Sequence, residues 1–298
     1  MKLQNSFILR EYLRPRVLPT TWCPGCGLGI IMSSIAQAVH YRGLAKQDVA
    51  MVSGIGCTGR MSGYVDFNTL HTTHGRAPAF ATGLKLARPD MHVLVVMGDG
   101  DSMSIGGNHL VHAMRRNIGL TAIVVNNAVY GLTGGQASPT TPVGGRTTTS
   151  RAGSFERPMN LEKLARTAGA AFYARATVNH TAALVKLIER ALAVPGFALV
   201  EVVSNCHVLY GRMNDLGEAS DMMKDMDPQT RRVNPVLLKR GLLPRREGGP
   251  EGAPHAVDLA DDPRLPRGVI FERQGAMDYS HRYRALVREA NEARGGGR

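Results

Sequence analysis

Long apolar runs are missing from this 298-residue sequence. The longest, such as residues 93–97, are far shorter than the roughly 20 residues that a membrane-spanning helix needs. The first residues carry scattered charges and no apolar segment, so no signal peptide is predicted. We therefore expect a cytoplasmic protein that does not bind a membrane.

Cysteine is scarce in the sequence. The 4 cysteines are one close pair, Cys23 and Cys26, and two distant residues, Cys57 and Cys206. In a reducing cytoplasm they favour a metal, a cluster or catalysis over disulfides. A structural zinc site would normally show two close pairs. On cysteine chemistry alone, an iron–sulfur cluster, a zinc site and unrelated buried cysteines all remain open.

The sequence also lacks a basic run, although its net charge is +12. The 36 lysines and arginines are spread along the chain, and residues 114–117 are about the densest spot. No nucleic-acid recognition motif accompanies them, so we expect no nucleic-acid partner. The charge suits phosphate ligands or an acidic protein partner.

Apolar strands alternate with helices over most of the chain. This alternation predicts an α/β fold with a doubly wound, mostly parallel sheet that helices cover on both faces. Strands are predicted at residues 49–54, 92–100, 120–127, 171–174 and 197–204, and helices at residues 28–43, 77–89, 108–117, 161–169, 180–196 and 279–294. We expect residues 1–215 to form the main domain and residues 216–298 an irregular extension that packs on it or on a partner subunit. A Pro- and Gly-rich loop is predicted at residues 242–268.

Two strand ends carry polar residues suited to a metal ion. Residues 98–101 (GDGD) close one predicted strand, and residues 126–136 (NNAVYGLTGGQ) close the next. Asp99 and Asn127 are 28 residues apart, about one strand–helix–strand unit, so both are expected at one edge of the sheet. A carboxylate and an amide oxygen there suit Mg²⁺ or Ca²⁺. The alternative is an ordinary helix cap and turn.

This pattern resembles the thiamine-diphosphate-binding motif, in which Gly-Asp-Gly is followed after a similar interval by Asn-Asn. The resemblance implies that Asp99, the Asn127 side chain and the Val129 carbonyl bind Mg²⁺. It also implies that five residues line the diphosphate: Gly98, Gly100, Asp101, Gly131 and Leu132.

Further motifs narrow the resemblance to one family. They are WCPGCG at residues 22–27, GIGCTGR at 54–60, HTTHGR at 71–76 and NCHVLYGR at 205–212. Together with the metal motif, they resemble the β subunit of multi-subunit 2-oxoacid:ferredoxin oxidoreductases. The resemblance extends from the cysteine pair to the segment after Cys206.

The family resemblance assigns roles to more residues. All four cysteines, Cys23, Cys26, Cys57 and Cys206, would bind a [4Fe–4S] cluster. His74 is expected near the reacting centre or the diphosphate. Arg60 and Arg76 are expected to meet a substrate carboxylate, a phosphate or a partner subunit. The segment around the third cysteine is expected to contact thiamine diphosphate: Ile55, Gly56, Cys57 and Thr58.

The resemblance also implies a reaction and partners. A 2-oxoacid loses CO₂, coenzyme A takes the acyl group, and electrons pass through the cluster to ferredoxin; the reverse direction fixes CO₂. Too few residues remain for a second thiamine-binding domain. An α (or α and γ) subunit is therefore expected to supply the glutamate at the cofactor's pyrimidine, in a heterodimer or a dimer of heterodimers.

The sequence determines the substrate less well. Arg60 favours a dicarboxylate, 2-oxoglutarate, while pyruvate and branched-chain 2-oxoacids remain open. A non-oxidative thiamine diphosphate enzyme with structural zinc is the alternative from another class.

Overall fold

An eight-stranded sheet lies at the centre of the protein, which a computed structural model describes at residues 2–232, 265–273 and 275–295. Its strands are β1 (Val49–Ser53), β2 (Asn68–His71), β3 (His92–Gly98), β4 (Leu120–Asn126), β7 (Phe172–Thr177), β8 (Ala198–Val203), β9 (Thr230–Arg232) and β10 (Leu265–Glu272), and a separate hairpin pairs β5 (Val129–Tyr130) with β6 (Gln136–Ala137). The order in the sheet is β2-β1-β3-β4-β8-β7-β10-β9. All pairs from β2 to β7 are parallel, and β10 runs antiparallel to β7. The mostly parallel sheet predicted from the sequence is confirmed.

Helices cover both faces of this sheet. They are α1 (Lys2–Tyr12), α2 (Leu28–Tyr41), α3 (Met61–Tyr64), α4 (Ala77–Ala87), α5 (Gly107–Arg115), α6 (Leu161–Ala168), α7 (Thr181–Leu192), α8 (Ala219–Asp225) and α9 (Tyr279–Gly295). Helices α1, α2 and α7 pack on one face, and α4, α5 and α6 pack on the other. The doubly wound arrangement is therefore confirmed. Among the described residues, no helix combines the length and the apolarity that crossing a membrane requires.

The central strand β4 shows why the sequence folds into two layers. Its side chains alternate between the faces, as in any strand. Ile123 and Val125 belong to the core beneath α2 and α7, while Ala122 and Val124 belong to the core beneath α4 and α5. Both faces of a central parallel strand are buried, so its sequence is apolar without interruption.

Part of the C-terminal extension is regular and joins the sheet. Residues 242–264 of the predicted loop lie outside the described residues. The loop prediction was wrong for residues 265–268, because β10 begins at Leu265. Pro266 and Gly268 make this segment look like a loop in sequence. They are tolerated because β10 lies toward the edge of the sheet and its pairing with β7 is irregular, with a register shift between Val269 and Phe271. The domain boundary predicted at residue 215 stays a prediction.

A buried ion pair between Glu201 of β8 and Arg175 of β7 connects these two strands, and Asn126 of β4 donates a hydrogen bond to it. Glu201 of β8 is 3% exposed and accepts a hydrogen bond from the Arg175 Nε at 2.5 Å. It also accepts hydrogen bonds from the Tyr173 hydroxyl and, at 2.8 Å, from the Asn126 amide. Burial alone would raise the pKa of Glu201, but the Arg175 guanidinium holds this pKa below its ordinary value. The carboxylate is therefore charged in the folded protein.

Replacing Glu201 with alanine is expected to lower the free energy of unfolding by about 3 kcal/mol, because the buried Arg175 would keep only its longer contact with Glu162, at 3.7 Å, as a counter-charge. Urea unfolding of the full chain, followed by circular dichroism, measures the loss. Glu272→Ala is the matched control, since its ion pair with Arg190 is partly exposed and contributes about 0–1 kcal/mol. Equal losses in the two variants would contradict the importance of the buried pair.

Candidate cofactor and metal site

The turns that carry the predicted site residues leave neighbouring strands at one edge of the sheet. The pairing sets the strand ends level: Gly98 of β3 lies opposite Val125 of β4, and Asn126 of β4 lies opposite Val203 of β8. Because these strands are parallel, the turns that follow them leave the same edge, which we call the carboxyl edge. It brings together four predicted site residues: Cys57, Asp99, Asn127 and Cys206.

A buried amide fastens the loop that contains Cys23 and Cys26. The Cys26 N–H donates to the Cys23 carbonyl at 3.0 Å, which closes the turn. Asn205, only 1% exposed, accepts the Gly27 N–H at 3.0 Å and donates to the Gly25 carbonyl at 3.1 Å. Since Asn205 immediately precedes the fourth cysteine, these two bonds tie the cysteine pair to it.

Two further contacts bring in the third cysteine. The Trp22 indole N–H donates to the Cys57 carbonyl at 2.8 Å. On the other side, a Cβ added to Gly131 would lie 3.6 Å from the Sγ of Cys57 and 3.6 Å from that of Cys206. The two sulfurs are therefore separated by no more than twice that distance, and the loop after β5 lies against both.

The four thiols are close enough to affect one another's ionisation. Burial, and then the charges of the other three cysteines, raise the pKa of the Cys26 thiol to about 11. Burial also raises the pKa of Cys206, although the backbone N–H groups of Tyr210 and Leu209 oppose the shift. Within the described part of the chain, no three His, Cys, Asp or Glu side chains are placed to hold one metal ion.

Asp99 is a buried carboxylate whose hydrogen-bond donors, among the described residues, are all uncharged. It is 2% exposed, and its Oδ2 accepts the hydroxyls of Ser138 at 2.7 Å and Thr140 at 2.5 Å. Burial raises the pKa of Asp99, and these hydrogen bonds oppose the shift. Since a buried anion is stabilised by a cation, this carboxylate fits a divalent metal ion.

The turn after β4 packs directly on the turn that holds Asp99. The Tyr130 ring lies against Gly100, where any side chain would overlap the ring. Ala128 has a φ of 62°, and its carbonyl accepts the Thr141 hydroxyl at 2.8 Å, which fixes the turn containing Asn127. The side-chain amide oxygen of Asn127 and the carbonyl oxygen of Val129 are ligands of the kind that Mg²⁺ binds.

The other residues expected at the cofactor lie around the same edge. Thr58 is 4% exposed, and its hydroxyl is 3.7 Å from where a Cβ on Gly98 would lie. Ile55 and Gly56 are partly exposed, and Leu132 is half exposed. Thr58 is therefore buried, while Ile55, Gly56 and Leu132 are accessible to a ligand.

The arginines named from the sequence also lie near this edge. Burial raises the pKa of Cys57, and the positive charge of the exposed Arg60 opposes the shift, so the two residues are neighbours. Arg76 donates to the carbonyl of Ile105 at 3.1 Å. Their expected contacts with a substrate or a partner stay predictions.

His74 and Asp101 are brought together, although their motifs are separate in sequence. The Asp101 Oδ1 accepts hydrogen bonds from the His74 Nδ1 and, at 2.7 Å, from the Gly75 N–H. The His74 ring meets the Tyr130 ring edge-on, with 6.1 Å between their centroids. The imidazole thus lies beside the hairpin that begins at Val129, one of the predicted metal ligands.

Sequence reasoning missed several residues that position the site. Asn205, Ser138 and Thr140 were not predicted, although the Ser/Thr-rich stretch at residues 138–141 and the Asn before Cys206 were visible signals. Their partners are remote in sequence, so only the fold identifies them. A cavity of about 190 Å³ between α7 and β10 is lined by none of the predicted site residues.

The chain matches known proteins over much of its length. A family model described as thiamine pyrophosphate enzyme, C-terminal TPP binding domain, matches residues 51–202. The 2-oxoglutarate synthase subunit KorB of Archaeoglobus fulgidus is 50% identical over 228 residues, which cover 76% of this chain and 83% of that protein. The subunit of the same name from Methanothermobacter marburgensis is 43% identical over 280 residues, which cover 92% and 95% of the two chains.

A solved structure is similar over nearly the whole chain. It is the 2-oxoglutarate:ferredoxin oxidoreductase from Magnetococcus marinus with 2-oxoglutarate, coenzyme A and succinyl-CoA bound, with a TM-score of 0.79 and 31% identity. The match covers 97% of this chain and 96% of that one. These likenesses confirm the predicted family, fold and enzyme class. The chain belongs to the β subunits of the 2-oxoacid:ferredoxin oxidoreductases.

Proposed function

We propose that the chain is the cofactor-binding subunit of an enzyme that converts 2-oxoglutarate and coenzyme A to succinyl-coenzyme A and CO₂, with ferredoxin as electron acceptor. One observation carries the proposal: the thiols and the Asp99 carboxylate meet at the carboxyl edge. Burial raises the pKa of Cys206, and the charge of Asp99 adds to the shift, so the two groups are within electrostatic reach. The named relatives and the ligands in the Magnetococcus structure favour 2-oxoglutarate over other 2-oxoacids.

The four cysteines fit a [4Fe–4S] cluster. Such a cluster binds each thiolate through a different iron atom, so it needs sulfurs spread around a space. The N–H groups of Leu209 and Tyr210, which lower the pKa of Cys206 against the effect of burial, would also donate to the bound sulfur and adjust the cluster's potential.

The turns after β3 and β4 fit Mg²⁺ and thiamine diphosphate. Asp99, the Asn127 side chain and the Val129 carbonyl would hold the metal, and the backbone at Gly100 and Gly131 would line the diphosphate. The uncharged donors around Asp99 leave its negative charge to be balanced by the ion. The net charge of +12 suits the phosphates of the cofactor and of coenzyme A, and an acidic ferredoxin.

When bound, thiamine diphosphate supplies the electron sink for decarboxylation, and the cluster accepts electrons one at a time. The residues that would hold these two groups lie side by side. Asn205 fixes the cysteine pair, and Gly131 lies against the sulfurs of Cys57 and Cys206. The loop expected at the diphosphate is thus also the loop that lies against Cys57 and Cys206, the residues that would hold two corners of the cluster.

Cys206→Ser is expected to abolish the cluster, since serine does not replace the thiolate ligand. Iron and acid-labile sulfide, measured on anaerobically purified protein, should fall from the content of one [4Fe–4S] cluster per chain to a small fraction. Thiamine diphosphate binding should be retained, because the turns after β3 and β4 are untouched. Wild-type protein that holds zinc and no iron would contradict the cluster and favour the non-oxidative alternative.

Asp99→Asn is expected to weaken cofactor binding and to leave the cluster in place. Loss of the carboxylate charge should weaken Mg²⁺-dependent thiamine diphosphate binding about 10- to 100-fold in calorimetry, while the iron content stays unchanged. Asp90→Asn is the control, because Asp90 is an exposed aspartate that pairs with Arg284. Unchanged cofactor affinity in Asp99→Asn would exclude Asp99 as the metal ligand.

The isolated chain is expected to be inactive, and a co-expressed α partner should restore activity. The reason is that the described edge offers no glutamate for the cofactor's pyrimidine, which a partner domain must supply. The assay is reduction of ferredoxin or a viologen with coenzyme A and a panel of 2-oxoacids, in which kcat/KM should be highest for 2-oxoglutarate. Robust turnover by the chain alone would refute the need for a partner, and a preference for pyruvate would refute the substrate.

A further inference from the structure

The side chain of Asp101 has a role that its place in the GDGD motif does not explain. The carboxylate is 3% exposed and lies where three segments meet: the end of β1, the turn before α4 and the π-helical turn Asp101–Ile105. A carboxylate aimed at a diphosphate would repel it. Instead, its Oδ1 accepts hydrogen bonds from the His74 Nδ1 and the Gly75 N–H.

The end of β1 is shaped around this carboxylate. A Cβ on Gly54 would overlap the carboxylate of Asp101, so glycine is required there. The turn before α4 is equally tight, because a Cβ on Gly75 would lie 2.5 Å from the backbone nitrogen of Gly106. Oδ2 lies against Gly54 with no hydrogen-bond partner among the described residues, while Oδ1 is directed at the turn that carries His74.

This orientation determines which nitrogen of His74 carries the proton. The Gly75 N–H already donates to Oδ1 at 2.7 Å, so Oδ1 is an acceptor. An ionised carboxylate only accepts hydrogen bonds, so the His74 Nδ1 that meets the same oxygen is the donor when Asp101 is charged. The His74 side chain is 34% exposed while that of Asp101 is 2% exposed, so the ring runs from the buried carboxylate toward the surface.

We propose that Asp101 is a positioning residue that holds His74 with its proton on Nδ1 and leaves Nε2 as a hydrogen-bond acceptor for an N–H, O–H or S–H group of a bound substrate or cofactor. The geometry of the edge agrees, because the His74 ring meets Tyr130 in the hairpin that follows the predicted metal ligands. A neutral imidazole held by a buried carboxylate is an effective acceptor, as in other His–Asp pairs. The inference rests on the proposed function only for the identity of the molecule that meets Nε2.

The first test is the tautomer of His74 in the full chain. Nitrogen-15 NMR of histidine-labelled protein at about pH 9, where unperturbed imidazoles are neutral, distinguishes Nδ1–H from Nε2–H. His74→Gln assigns the signal among the 10 histidines. We expect Nδ1–H in the wild type and a shift toward Nε2–H in Asp101→Asn. An Nε2–H signal assigned to His74 in the wild type would overturn the proposal.

The second test is activity in the complex with the α partner. Asp101→Asn should lower kcat for 2-oxoglutarate about 100-fold with little change in KM, as expected for loss of a positioned acid–base group. Asp90→Asn is the control, because Asp90 pairs with Arg284 at 2.8 Å before the start of β3, at the opposite edge of the sheet; it should change neither kcat nor the His74 signal. An unchanged kcat in Asp101→Asn would refute the positioning role even if the tautomer is as expected.

Failure of the proposed function gives a different result. If no 2-oxoacid is turned over, the reaction assignment is wrong, but the NMR measurement still decides whether Asp101 fixes His74. If turnover is normal and the tautomer is not fixed, the proposed function stands and this inference is wrong.

Discussion

The parallel pairing of β1, β3, β4 and β8 is the constraint on which the rest of the site depends. Since these four strands run in the same direction and end level with one another, the turns after them share one edge. Cys57, Asp99, Asn127 and Cys206 each follow one of these strands. A register shift of one strand by one residue would move a ligand away and turn its apolar side chains to the other face.

Buried polar contacts connect this edge to the core of the sheet. Asn126 ends β4 and donates to Glu201, which is held by Arg175 one strand further along. Asn127, a predicted metal ligand, follows Asn126. The Glu201–Arg175 ion pair therefore also fixes the start of the turn that contains Asn127. Asn205 fixes the cysteines in a similar way. It lies between β8 and Cys206, and its side chain forms hydrogen bonds with the backbone of Gly25 and Gly27. Such fully paired polar groups fix position better than apolar contacts do.

The sequence predicted the elements with strong periodicity and missed those that depend on tertiary contacts. Strands such as β4 and helices such as α7 were found because their apolar pattern follows from burial. The strand β2 was missed because it is a short, mostly exposed edge strand, and β10 was missed in part because Pro266 suggested a loop. The motifs located the site, but they did not show that the Asp101 carboxylate contacts His74, since that contact requires the folding of three separate segments.

The central claim is that the metal turn and the cysteines form one electron-transfer site. The most direct measurement replaces Mg²⁺ by Mn²⁺ in the presence of thiamine diphosphate and records the EPR spectrum of the chemically reduced cluster. Mn²⁺ is paramagnetic and takes similar oxygen ligands. The account predicts strong dipolar broadening of the cluster signal when Mn²⁺ is bound and none when it is removed. A cluster signal that bound Mn²⁺ leaves unchanged would contradict the account.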